Sequence, residues 1–336
     1  MKIISFVCYK SYFYFLVYWL SEFCINFSKE IYFSDFIYIK NKQNYEIKYI
    51  NLLCLNISDL LAGFLVLYTK FSVKNIHIKK EKSKNEIEYI YNKPKKNEFL
   101  LLLIIFTSLL DFISRSVFFL FDFFIHNESI LERYEMNYLT AIDIIFRYFF
   151  SRIILKTKLY RHHIWSIVIT SLGFLFISII DIITIIVEKR DLSIYYNIFI
   201  IPRYILFPLT DVLNKILLSN TFLLPHSLMF YRGLIQSVFL IIITILLICF
   251  NKISYSYLEN GEIALKIFIT IAYIIIASIK AFCLMKVIYI YTAQYVSFLI
   301  VVESISGYIV YLISGKASSG EKFVFVIIKI IFLLII

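Results

Sequence analysis

Charge is scarce in this chain: 17% of its 336 residues are Asp, Glu, Lys or Arg, and only seven are glycine, against 61% hydrophobic and 19% aromatic. A water-soluble protein of this size would leave much of that apolar content facing solvent, so the composition fits a chain whose surroundings are largely lipid. Cysteine is equally uninformative as a scaffold. Cys8, Cys24, Cys54, Cys249 and Cys283 are odd in number and scattered, with no CxxC, so neither a zinc site nor a disulfide framework is signalled. GxxxxGK[ST], HExxH and a Ser-centred elbow are all missing, which removes the phosphate loop of an ATPase and the common hydrolytic motifs. The adjacent His162 and His163 lie in a basic link where solvation accounts for them. The sequence therefore predicts no enzyme, no cofactor and no metal site. A membrane-embedded transferase and a multi-pass receptor, scramblase or assembly protein remain as alternatives.

What is present is long apolar runs. A helix needs roughly 20 predominantly apolar residues to cross a bilayer. That rule places spans near 3–20, 50–69, 98–124, 136–155, 163–187, 198–218, 228–250, 263–284, 288–313 and 320–336. The first reads as a retained span and not a cleaved signal peptide, since Lys10 interrupts it and no small-residue cleavage site follows. The expected fold is all-α, a polytopic membrane protein of about ten helices, with nine as the main alternative count.

The formal net charge of +11 could suggest nucleic acid, but its distribution argues otherwise. Lys70, Lys74, Lys79, Lys80, Lys82, Lys84, Lys93, Lys95 and Lys96 crowd one loop, 70–97, and Lys156, Lys158 and Arg161 fill the link after the fourth span. Loops 125–135 and 188–197 are acidic or balanced. This alternation obeys the positive-inside rule with both termini and the lysine loop in the cytoplasm. The expected partners are thus a bilayer and a small-molecule solute and not nucleic acid; homodimerisation is left open. Ten spans divide into residues 1–190 and 191–336. Five per half makes the halves antiparallel, the inverted repeat many secondary transporters use. "YLTAIDIIF" and "IYTAQYVSFLI" echo each other in corresponding places.

Three stretches carry a family likeness. "FRYFFSRIILKTKLYRHHIWSIVITSLGFLFI", with Trp165 and Gly173, looks like a fourth helix, basic link and fifth helix. "DVLNKILLSNTFLLPHSLMFYRGLIQSVFLIII", with Lys215 before a short polar link, is similar to a sixth-to-seventh helix stretch. "IYTAQYVSFLIVVESISGYIV" looks like a ninth helix. In these the chain resembles the drug/metabolite transporter superfamily, in particular its nucleotide-sugar and triose-phosphate transporter-like branch. The resemblance implies a carrier of small organic solutes that alternates access without ATP, in an endomembrane such as the ER or Golgi more than in the plasma membrane.

Charges inside the oily spans are the candidate site. Each costs about 2.5–3.5 kcal/mol on insertion scales at mid-membrane, so such residues face a bundle interior or a watery cavity. Asp111/Arg115, Asp143/Arg147 and Asp211/Lys215 repeat one spacing, acid first, that puts both members on one helix face. Arg152 is expected to snorkel to the interface. Arg203, Arg232, Lys280 and Glu303 complete the set, Glu303 without a partner on its own helix and with Lys280 as a cross-helix candidate. The cations Arg115, Arg147, Arg203, Arg232 and Lys280 outnumber the acids left after pairing. That sign favours an anionic solute, phosphorylated or nucleotide-linked.

Overall fold

A computed structural model describes residues 2–28, 44–80, 98–124, 138–157, 160–187, 194–220, 223–249, 263–291 and 296–313. Among them are helices α1 (Lys2–Ser28), α2 (Asn44–Lys80), α3 (Glu98–Phe124), α4 (Tyr138–Ile153), α5 (Arg161–Val187), α6 (Ile194–Asn220), α7 (Pro225–Cys249), α8 (Ile263–Ile290) and α9 (Val296–Ile313), and no strand. Residues 81–97 of the lysine loop and the expected span 320–336 lie outside the described residues.

Four helices hold segments long and apolar enough to cross a membrane: Tyr49–Tyr68 in α2, Leu100–Val117 in α3, Pro225–Cys249 in α7 and Ile267–Ile290 in α8. Their side chains are sorted inside out relative to a soluble protein. Asp59 is 0% exposed, while Phe64, Tyr68 and Phe268 are 69%, 71% and 69% exposed. Aspartates and arginines inside with aromatics outside is the arrangement hydrocarbon imposes. The chain is a helical membrane protein.

Several boundaries differ from those expected. α2 continues through Lys80, past the expected loop start at residue 70, and α1 continues to Ser28, past residue 20. α8 carries on to Ile290 and α9 is described from Val296, and the TAQY stretch expected to open the ninth span, 292–295, lies outside the described residues. Lys286 does not end α8, because its ammonium sits over the rings of Phe282 and Tyr289, 5.5 and 5.9 Å from their centroids. That keeps its charge against aromatic faces instead of hydrocarbon. α4 stops where Lys156 takes a left-handed φ of 53°. The Thr157 amide and hydroxyl then both donate to the Ser151 carbonyl, at 3.4 and 3.1 Å, capping the helix end.

The helices form a ring. α4 packs on α6, α6 on α3, α3 on α7, α7 on α2, α2 on α8, α8 on α1 and α1 on α9. The ring closes through a short contact between α9 and α4, and α5 packs on the outside of α4. The α2–α7 pair is the tightest part. Tyr49 bonds Thr244, Ser237 donates to Asn56 at 3.1 Å, Arg232 pairs with Asp59, and Gly63 meets Phe230. Positions fall along one helix as they rise along the other, so the pair is antiparallel. A Cβ on Gly233 would stand 2.9 Å from the Leu60 backbone nitrogen, which is why glycine occupies it. Helices in lipid gain no hydrophobic drive by associating, so close approach at small residues and polar links hold them together.

Polar side chains concentrate in one layer. Below it lies an apolar cluster around Ala62, Ile104, Leu228, Met229 and Met285; above it lies another around Leu52, Phe112 and Leu240.

Candidate functional site

The layer holds three ion clusters. The central one is built by α2, α3 and α7. Asp59 accepts two hydrogen bonds from Arg232, at 2.9 and 3.1 Å, and lies 3.1 Å from Arg115. Arg115 in turn holds Asp111 at 2.9 Å, and Gln236 donates to Asp111 at 2.7 Å. Two guanidiniums face two carboxylates, so the cluster is neutral, and the planar fork of arginine suits each pairing. The Asp111/Arg115 pair is present, as its spacing predicts.

The second cluster joins α4 to α6. Arg147 donates to Asp143 at 2.9 and 3.2 Å and, through its other amino group, to Asp211. The Asp143/Arg147 pair thus forms, but Asp211/Lys215 does not. Asp211 faces α4, where one guanidinium can bind two carboxylates at once. Lys215 instead reaches the Tyr289 carbonyl near the end of α8, at 2.9 Å, where backbone acceptors lack helical partners. Arg203 is half-buried, 6.0 Å from the centroid of Phe207.

The third cluster joins α1, α8 and α9. Lys280 pairs with Glu22 and, at 3.3 Å, with Glu303, and its ammonium lies 5.4 Å from the centroid of Tyr18. The cross-helix partner considered for Glu303 is therefore in place, together with a second carboxylate.

Glu22 and Asp59 change the charge balance of the layer. Among the described residues four ion-paired cations (Arg115, Arg147, Arg232, Lys280) face six carboxylates (Glu22, Asp59, Asp111, Asp143, Asp211, Glu303). Arg203 and Lys215, both half-buried on α6, stand beside them, so the expected excess of interior cations is absent among the described residues. Asp59 was visible in "NISDLLAGF" as an acid with no base within a turn. Glu22 was hidden by ending the first span at residue 20.

Most hydroxyls in the bundle are satisfied by their own helices: Ser108, Thr107, Ser178, Thr210 and Thr244 donate to carbonyls one turn back. Against that background, Ser151, Ser171, Ser297 and both amide atoms of Asn214 are buried without a hydrogen-bond partner. Ser297 borders a small cavity of about 50 Å³ where α9 meets α4, lined also by Ile144, Tyr148, Ser166, Ile167, Thr170 and Val301. The cavity lies in the short contact that closes the ring, and it offers hydroxyls and aliphatic walls without a charge.

No protein-family model and no curated protein matches the chain.

Proposed function

We propose that this protein is a secondary carrier of a small polar organic solute, built as two inverted five-helix halves in the manner of the drug/metabolite transporters. One regularity of the packing carries the reading. Exchange α1 with α6, α2 with α7, α3 with α8 and α4 with α9, and the larger contacts map onto one another, those of α8 with α6 and with α9 excepted. α1 on α8 becomes α6 on α3; α1 on α9 becomes α6 on α4; α2 on α8 becomes α7 on α3; α2 on α3 becomes α7 on α8. The α2–α7 and α4–α9 contacts map onto themselves. The carboxylates of the outer clusters follow the same exchange, Asp143 and Asp211 on α4 and α6 against Glu303 and Glu22 on α9 and α1, while the cation comes from α4 in one and from α8 in the other; the central cluster straddles α2 and α7. Such a two-fold with helices running oppositely is the inverted repeat of secondary carriers, whose solute sites lie near mid-membrane between the halves.

In this reading the tenth helix is 320–336, the halves divide near residue 190, and the lysine-rich segment and both termini lie in the cytoplasm of an endomembrane-resident protein. Two measurements test it. Reconstituted into liposomes loaded with candidate solutes, the protein should show uptake accelerated by the same solute inside. Release of a new product in place of exchange would make it an enzyme. Cysteines placed in 81–97 should resist an impermeant reagent applied from the non-cytoplasmic side, and labelling from that side would sink the ten-span topology.

A further inference from the structure

The Lys280 ammonium sits in a cage made by other helices: the carboxylates of Glu22 and Glu303 and the ring of Tyr18. Charge compensation of a lysine needs one carboxylate. Two carboxylates and an aromatic face around one nitrogen make a site for an organic ammonium, because the ring quadrupole and both anions attract the same cation. The cage is also reachable. The Glu303 side chain is 42% exposed and that of Lys280 22%, whereas Glu22 at its floor is 1% exposed. A lysine is a compact charge on a flexible stem and can withdraw, unlike a guanidinium held by two carboxylates.

We propose that this cage recognises the ammonium group of an organic amine, and that Lys280 is a tethered stand-in that fills it when no solute is bound. The proposal rests on the carrier reading and names its solute class. The equivalent Arg147 cluster is sealed, with side-chain exposures of 1%, 6% and 5%, so one of the two positions is open to a ligand.

The full-length protein in liposomes tests this with labelled cadaverine, an amine of lysine-like length, beside glucose 6-phosphate. Cadaverine uptake should be accelerated by internal cadaverine, which passive leak cannot mimic, and should fall at least about tenfold in Glu303→Gln, since a charge-assisted contact is lost. Glucose 6-phosphate exchange without cadaverine exchange overturns the ammonium site and leaves the carrier intact. A binding measurement separates the two ideas. In detergent, methylammonium should raise the melting temperature of Lys280→Ala by a few degrees, sodium at equal strength should not, and adding Glu303→Gln should abolish the rise. That result without any exchange retains the site and removes the carrier. No methylammonium shift overturns the cage, and if Lys280→Ala does not fold, the same comparison is made on wild type against Glu303→Gln with cadaverine.

Discussion

The Arg147 cluster and the Lys280 cluster each set one cation between two carboxylates from different helices. They differ in the cation and in access. A planar guanidinium spans both aspartates with its donors already arrayed, and it is closed off from the surface: Arg147 is 1% exposed, as is Ile144 one turn before it. An ammonium has no such fork, and its cluster stays partly open through Glu303. One arrangement of charges thus makes a sealed fastening at Arg147 and a partly open cluster at Lys280, and the side chain at its centre makes the difference.

Breaking the fastening should have the largest effect. Arg147→Met leaves Asp143 and Asp211 buried together, and removing one partner of a buried ion pair costs about 3–5 kcal/mol; thermal unfolding and membrane level should both collapse. Neutralising Asp143 alone in that background leaves Asp211 stranded. Recovery should require Asp143→Asn, Arg147→Met and Asp211→Asn together, and additive damage across the series would refute the cluster. Next comes Gly233→Ala, whose methyl meets backbone at 2.9 Å. Overpacking there should cost about 1–3 kcal/mol. Gly63→Ala, which meets the Phe230 side chain, should cost less because a ring can turn; equal losses would show that the crossing is not rigid at Gly233. Lys280→Met should lower stability less than Arg147→Met, since Glu303 is partly exposed and screened by solvent, which leaves Glu22 as the one buried carboxylate of the two. A loss as large would make the two clusters equivalent and end the comparison. The smallest effect belongs to Tyr49→Phe, which removes one hydrogen bond to Thr244 worth about 1 kcal/mol, read as a small drop in melting temperature.

The membrane class and the helix positions were legible because apolar length alone decides them, and the i,i+4 pairs at Asp111/Arg115 and Asp143/Arg147 were legible because helix geometry alone makes them neighbours. Asp211/Lys215 has the same spacing and failed, since spacing says nothing about a stronger acceptor or donor across the interface. Asn214, Gln236 and Glu22 gave no local signal: their roles depend on which helix stands opposite, and that is a property of the bundle. The changed charge count has one origin. Two acids, Asp59 and Glu22, went unassigned, and each belongs to a cluster whose other members were already in view.

The close crossing of α2 and α7 has a mechanical consequence. Backbones in near-contact at Gly233, stitched by Asn56, Ser237 and the Asp59–Arg232 pair, weld one edge of the ring, while α4 and α9 barely touch at the other. Such an object behaves like a clothes-peg with its spring on one side. If the halves rock, the crossing is the fulcrum and moves least, and displacement grows with distance from it to a maximum at the jaws, where the hydroxyl-lined cavity lies.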